Sequence, residues 1–151
     1  MARYLNPLLK ELAAQLVRGP HSLHWKQSIQ AEKLFRIVTP LSEYPYDFVV
    51  EHITRYRPRE RNAVRPLIPG RHLLHDLPVM IDELTESAPP AAEQVGAELA
   101  TIDDLAGRFG VSTKTVNRWR LDGLIGRKVR FGDGKTRVAF LPDSVEYFVN
   151  T

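Results

Sequence analysis

Residues 111–121, VSTKTVNRWRL, place hydrogen-bond donors and positive charge at helical spacing. Lys114, Asn117 and Arg118 are three or four residues apart in the order that brings them to one side of a helix. Val116 and Trp119 fall three apart on the opposite side, where we expect the indole ring to pack this helix onto its neighbour. Lysine, arginine and asparagine side chains donate hydrogen bonds to polar or negatively charged groups. The segment therefore predicts a binding surface that apolar residues hold in place.

The histidines and carboxylates offer little that could do catalysis. His21 with His24, and His72 with His75, are each three apart, but neither pair has a third ligand at good spacing for zinc. The chain has no cysteine, no glycine-rich phosphate loop, no dinucleotide fingerprint and no G-x-S-x-G elbow. The sequence accordingly predicts no catalytic residues, no metal site and no cofactor, and favours a protein that is not an enzyme.

Positive charge is concentrated in one part of the chain. Between residues 101 and 140 there are nine lysines and arginines against four aspartates, a balance of +5, whereas the whole chain is only +3. Residues 82–98 hold five acidic and no basic side chains and include the run ESAPPAAEQ. Small residues, two prolines and one sign of charge are typical of an exposed linker. We therefore predict a linker at 86–98 between two domains, 1–85 and 99–151.

The first domain is predicted to be helical. Asn6 can cap a helix that Pro7 begins and Gly19 ends, and further helices are predicted from about 23 to 38, 46 to 56 and 77 to 87. Prolines end the second and third of these, since proline cannot donate the helical hydrogen bond. Six arginines lie within residues 54–72, and they suit either a nucleic-acid contact or an ordinary solvated surface.

The second domain has a recognisable order of elements. Asp103 and Asp104 stand where they complement the positive end of a helix that Gly110 ends, and Ser112 can cap the helix that carries Trp119. The runs RKVRF and KTRVAF flank a GDG turn and predict a charged β-hairpin, after which LPDSVEYFVNT predicts a closing helix. The fold class predicted for the chain is mainly α: a helical domain followed by two helices, a two-stranded hairpin and a closing helix.

This order, with the motifs GVSTKTVNRW, DGLI and LPDSVEYFV, resembles the winged helix-turn-helix of the MerR and excisionase type over residues 99–150. With YPYDFVVEHITRYRP added, the chain also resembles the amino-terminal part of bacterial RNA polymerase sigma-factor-like proteins, which implies a piece of a longer protein. The resemblance implies that Lys114, Asn117 and Arg118 face base edges in the major groove of double-stranded DNA. It further implies backbone or wing contacts by Ser112, Thr113, Thr115, Arg120, Lys128, Arg130, Lys135 and Arg137.

Three functions stay open at this point. The first is a sequence-specific, DNA-binding transcription regulator, sigma-factor-like, with RNA polymerase as a candidate partner. The second is an excisionase-like accessory protein that bends DNA, and the third is an adaptor that binds proteins. A homodimer is compatible with each of them. No apolar run approaches the roughly 18 residues that span a membrane, so we expect a cytoplasmic protein with no membrane partner.

Overall fold

A computed structural model describes residues 3–57 and 66–151 of the chain. The chain divides into two compact units, Met1–Leu84 and Thr85–Thr151. The described chain is mainly helical, and each unit contains a small antiparallel sheet. The predicted mainly α class is therefore confirmed at this level. Among the helices of the described residues, none combines the length and the hydrophobicity of a membrane-spanning segment.

The first unit begins with the helix that the sequence predicts. In α1 (Pro7–Arg18) the side chain of Asn6 accepts a hydrogen bond from the Leu8 amide at 2.9 Å, and Gly19 ends the helix. A 3-10 turn (His21–Leu23) leads into α2 (His24–Ile37), which ends just before Thr39 and Pro40. α3 (Tyr46–Thr54) is shorter than predicted. Its last turn is closed by Arg55 in the left-handed conformation, at φ 63°, before the chain reaches Pro58.

The fourth helix differs most from the prediction. α4 (Gly70–Ser87) begins well before residue 77 and contains Pro78 in its interior. A proline inside a helix removes one hydrogen bond and usually breaks the helix. Here the helix buries apolar side chains on both sides of the proline, Leu73 and Leu77 before it and Met80 after it, and their burial offsets that loss.

A two-stranded antiparallel sheet joins these helices. β1 (Glu43–Pro45) pairs with β2 (Leu67–Pro69), with Tyr44 opposite Ile68. Such short strands carry too few alternating residues for a sequence pattern to predict them. Of the six arginines between residues 54 and 72, the structure describes Arg55, Arg57 and Arg71. The other three lie within 58–65, outside the described residues, so the arginine-rich contact stays a prediction.

The second unit contains the remaining elements. They are α5 (Ala92–Val95), β3 (Ala100–Thr101), α6 (Ile102–Phe109), α7 (Thr113–Leu121), β4 (Arg127–Arg130), β5 (Thr136–Phe140) and α8 (Pro142–Val149). The predicted hairpin is confirmed, because β4 and β5 pair antiparallel with Val129 opposite Arg137. β3 is an addition that the sequence did not suggest, and it pairs with the other edge of β5.

Apolar side chains of α6, α7, α8 and β5 form the core of this unit. The buried residues that hold it together are Ala100, Leu105, Ala106, Val116, Leu124, Phe140 and Val145. Burial extends to both faces of the sheet, since Phe140 on one face and Val129 and Ala139 on the other are all covered.

Residues 86–98, for which the sequence predicts an exposed linker, are attached to the second unit. The amide of Arg130 donates to the Pro90 carbonyl at 2.8 Å, and Ala91 forms a bridge with Arg130. The hydroxyl of Thr85, just before this segment, accepts a hydrogen bond from the Lys128 amide at 2.8 Å. Prolines lack an amide hydrogen but keep their carbonyl, so a proline-rich segment can still accept hydrogen bonds from the outer edge of β4.

Candidate nucleic-acid interface

Helices α6 and α7 are joined by a short turn with well-defined ends. Thr101 and Asp104 cap α6 reciprocally: each side chain accepts a hydrogen bond from the other residue's amide, at 3.1 and 2.9 Å. Gly110 ends α6 in the left-handed conformation, at φ 65°. Ser112 then caps α7, since its hydroxyl accepts a hydrogen bond from the Thr115 amide at 3.1 Å. The Gly110 stop and the Ser112 cap match the sequence prediction, whereas the reciprocal cap of Thr101 and Asp104 was not predicted.

The side of α7 that the sequence singled out faces solvent. Lys114, Asn117 and Arg118, which we call the polar face of α7, are all exposed. None of the three makes a hydrogen bond or ion pair with any other residue in the described ranges 3–57 and 66–151. Their donors are therefore available to an external ligand.

The opposite side of α7 is anchored, as predicted. Val116 is fully buried, and Trp119 packs against the core of the second unit. The indole ring meets the ring of Phe109 edge-on at a centroid distance of 5.7 Å and the tilted ring of Phe148 at 5.8 Å. Edge-on and tilted contacts at these distances are favourable arrangements of aromatic rings. Trp119 thus fastens α7 to both α6 and α8.

The charges at the two helix starts are opposite in kind. In α6 the first turn carries Asp103 and Asp104, which stabilise the positive end of the helix dipole. The first turn of α7 carries no acidic residue and instead holds Lys114, where a cation is unfavourable by about 0.3–1 kcal/mol. Arg118 and Arg120 lie in the last turn, where the dipole favours them. Helix stability therefore accounts for the arginines but leaves Lys114 unexplained.

Of the residues expected near a nucleic-acid backbone, three lie at the start of α7 (Ser112, Thr113 and Thr115) and one, Arg120, lies in its last turn. The Ser112 and Thr115 hydroxyls lie 3.1 Å apart and serve the cap. Thr113 is exposed, whereas Arg120 is half-buried and interacts within the protein. Thr113 is consequently the best placed of the four for an external contact.

The hairpin brings its cations into quite different surroundings. Lys135 lies exposed near the tip, and Arg130 is exposed with its Nη1 donating to the Pro89 carbonyl at 3.3 Å. Lys128 is half-buried. Arg137 donates from Nη1 to Asp133 Oδ1 at 3.1 Å, and from Nη2 to Oδ2. The prediction treated all four as equivalent contacts, but Arg137 has a carboxylate partner inside the hairpin.

The sequence analysis did not predict the ion pair of Asp133 with Arg137. An aspartate in a turn has an ordinary structural role there and does not by itself indicate a cation partner. Turn aspartates commonly bond a backbone amide two residues on, and Asp133 Oδ1 does accept from the Lys135 amide at 3.0 Å. The arginine pairs with it across the loop, four residues later. An aspartate and an arginine that flank a tight hairpin turn at this spacing are the sequence signal that could have revealed the pair.

A second missed feature is an apolar groove of about 280 Å³ between α6, α7 and α8. Phe109, the last residue of α6, is 38% exposed. The groove's lining consists of Leu105, Phe109, Trp119, Leu124, Val145, Phe148 and Val149.

Three of the five histidines make hydrogen bonds within the described residues. No group of three or more histidines, aspartates or glutamates able to hold a metal occurs among the described residues. The hydrogen bonds join His24 Nε2 to the Leu16 carbonyl (2.9 Å), Asn6 Nδ2 to His72 Nδ1 (3.2 Å) and His75 Nδ1 to Asp76 Oδ1 (2.7 Å).

No model of a protein family matches the chain, and no curated protein or solved structure matches it either. The resemblance to winged helix-turn-helix and sigma-factor-like proteins therefore stays a prediction.

Proposed function

We propose that the second unit binds double-stranded DNA and that the protein is a transcription regulator with a sigma-factor-like organisation. In this proposal α6 and α7 act as a helix-turn-helix, α7 enters the major groove, and the β4–β5 hairpin is a wing beside it. The observation that carries the proposal is the polar face of α7. Three exposed side chains that have no hydrogen-bond or ion-pair partner among the described residues stand on a short helix, whose opposite side packs against the core.

The chemistry of these donors suits base edges and phosphates. Arginine and lysine fit the two acceptors of guanine, and asparagine fits the acceptor and donor of adenine. Lys114 adds its charge to the positive end of α7, where a negatively charged group is favoured. A phosphate near this end would turn the unfavourable placement of Lys114 into a favourable one. DNA binding thus supplies a reason for a residue that helix stability does not explain.

Charge distribution supports the same conclusion. Residues 101–140 carry a balance of +5 in a chain whose total is +3, and they include α7 and the hairpin. Because affinity for duplex DNA comes largely from neutralised phosphates, concentrating cations on one unit favours binding by that unit. The proposal assigns base contacts to Lys114, Asn117 and Arg118, and backbone contacts chiefly to Thr113, Arg130 and Lys135.

A selection of bound sequences from random duplex DNA, followed by titrations of Arg118→Ala, tests the proposal. We expect Arg118→Ala to lose about 1–3 kcal/mol on the selected site and to relax base preference at one position. Arg108→Ala is the matched control, because Arg108 is an exposed arginine in the last turn of α6, off the polar face. It should leave base preference unchanged. Equal losses from both variants on all sequences would contradict the groove assignment.

The apolar groove favours one alternative, a protein-interaction adaptor. Exposed aromatic edges beside a concave apolar surface are typical of protein contacts. An adaptor would still bind its protein partner when Lys114, Asn117 and Arg118 are all changed to alanine. A DNA-binding regulator would lose its affinity for DNA. Binding of selected duplex DNA by the unaltered protein, abolished in this triple variant, would decide against the adaptor.

A further inference from the structure

Arg137, on strand β5 of the hairpin, pairs with the carboxylate of Asp133 in the hairpin loop. Both terminal nitrogens of Arg137 donate to the two oxygens of Asp133, the Nη1 bond measuring 3.1 Å. The guanidinium carbon also lies 5.5 Å from the centre of the Phe131 ring. Asp133 Oδ1 is fixed in turn by the Lys135 amide at 3.0 Å. The arginine is therefore bound through the fork of donors that arginine also uses on phosphates.

Electrostatics favour the pair at neutral pH but leave it accessible. The Arg137 hydrogen bond, with the Lys135 amide, lowers the pKa of Asp133 to about 2. The same hydrogen bond raises the pKa of Arg137, and the charge of Asp103 adds to this effect. Both side chains are roughly half exposed. An exposed ion pair is weak and can exchange its partner, so a competing anion can replace the carboxylate.

We infer that Asp133 competes with DNA phosphate for Arg137, and that the hairpin keeps this arginine masked until a phosphodiester replaces the carboxylate. This inference rests on the proposed function. It assigns to Asp133 the role of weakening DNA binding from within the same interface. A masked arginine contributes little to a loose encounter with DNA, because exchange requires a phosphate in bidentate geometry at the hairpin. Asp133 thereby lowers affinity for duplexes in general.

Asp133→Asn in the full chain tests the inference. Asparagine keeps a carbonyl oxygen that accepts from the Lys135 amide, so the turn is retained, but the negative charge on Arg137 is removed. Exposing one more cation to phosphate adds about 0.9 to the salt slope. A rise in salt from about 0.05 to about 0.2 M should then lower the variant's affinity for random duplex DNA roughly three- to four-fold more than wild type's. At the lower salt the variant should bind more tightly than wild type.

Asp103→Asn is the matched control, since Asp103 is an exposed aspartate whose charge acts on Arg137 without a hydrogen bond to it. We expect a smaller gain in affinity and an unchanged salt slope. In an Arg137→Ala background, the gain from Asp133→Asn should shrink to the size of the Asp103→Asn gain. Amide NMR spectra should show for each variant that the second unit is folded.

These binding measurements distinguish a wrong function from a wrong role for Asp133. If wild type and Asp133→Asn both bind no duplex DNA, the proposed function is wrong and the inference falls with it. If wild type binds DNA and depends on Arg118, but Asp133→Asn gains no more than Asp103→Asn, only the inference is wrong. A loss of affinity in Asp133→Asn would also overturn it, because Asp133 would then orient Arg137 towards DNA.

Discussion

Replacing Trp119 by alanine should destabilise the second unit by about 2–3 kcal/mol. A fully buried tryptophan costs about 3–5 kcal/mol when truncated to alanine. Trp119 is only partly buried, since one side of its ring lines the groove. It nevertheless makes two ring contacts, with Phe109 and Phe148, each worth about 0.5–1.5 kcal/mol beyond area burial. We therefore expect Trp119→Ala to lower the free energy of unfolding by more than a surface substitution does. The decrease should stay below the maximum for a fully buried tryptophan.

Urea unfolding of the full chain, followed by circular dichroism and by hydrogen exchange with mass spectrometry, measures this loss. Amides of α6 and α7 should exchange faster in Trp119→Ala, whereas those of α1 in the first unit should be unchanged. Leu121→Ala is the matched control, because Leu121 lies on the same helix and is 81% exposed. Its effect should stay within about 0.5 kcal/mol. A Trp119→Ala protein no less stable than Leu121→Ala would refute the assignment of Trp119 as the anchor of α7.

Two further predictions concern glycine packing and the charge of the hairpin loop. Gly126→Ala should destabilise the protein by about 1–3 kcal/mol, because the new Cβ would lie 2.7 Å from a side-chain methyl on β5. Gly107→Ala has open space and a helical position, so it should stabilise by about 0.5–1 kcal/mol, and equal melting temperatures for both would contradict the packing argument. The Asp133 carboxyl should titrate in ¹³C NMR with a pKa of about 2, against about 3.9 for an unperturbed aspartate. Its folded pKa is lowered, so its small contribution to stability is present above about pH 4 and is lost as the pH falls through 2. Arg137→Ala should return the pKa towards the ordinary value, and an unchanged pKa would speak against the ion pair.

The ends of several helices in this protein could be predicted from single residues in the sequence. Asn6, Ser112 and Gly110 each occupy the position at which the sequence places a cap or a stop. Capping depends on one side chain and the two or three amides that follow it, all of them neighbours in the sequence. Information of this kind is local, so no knowledge of the tertiary fold is needed to use it.

Features that depend on tertiary contacts were harder to predict from the sequence. Pro78 argues against a helix locally, and only the burial of side chains on both sides of it explains why α4 continues. The attachment of residues 90–91 to β4 depends on a partner about 40 residues away. Neither the burial around Pro78 nor the pairing of residues 90–91 with β4 leaves a periodic pattern in the sequence. The division of α7 into an apolar and a polar side does leave one.

The candidate site was predictable because α7 divides its residues into two chemically distinct sides, and this division has an experimental consequence. Trp119 and Val116 stabilise the fold, whereas Arg118 is exposed and bound to nothing within the described part of the chain. Arg118→Ala should therefore reduce DNA affinity while changing stability by less than about 0.5 kcal/mol. Trp119→Ala should reduce affinity only in proportion to the fraction unfolded, and low temperature should restore that affinity. If Arg118→Ala instead unfolded the second unit, the residue would be structural, and the main support for a DNA-reading face would be lost.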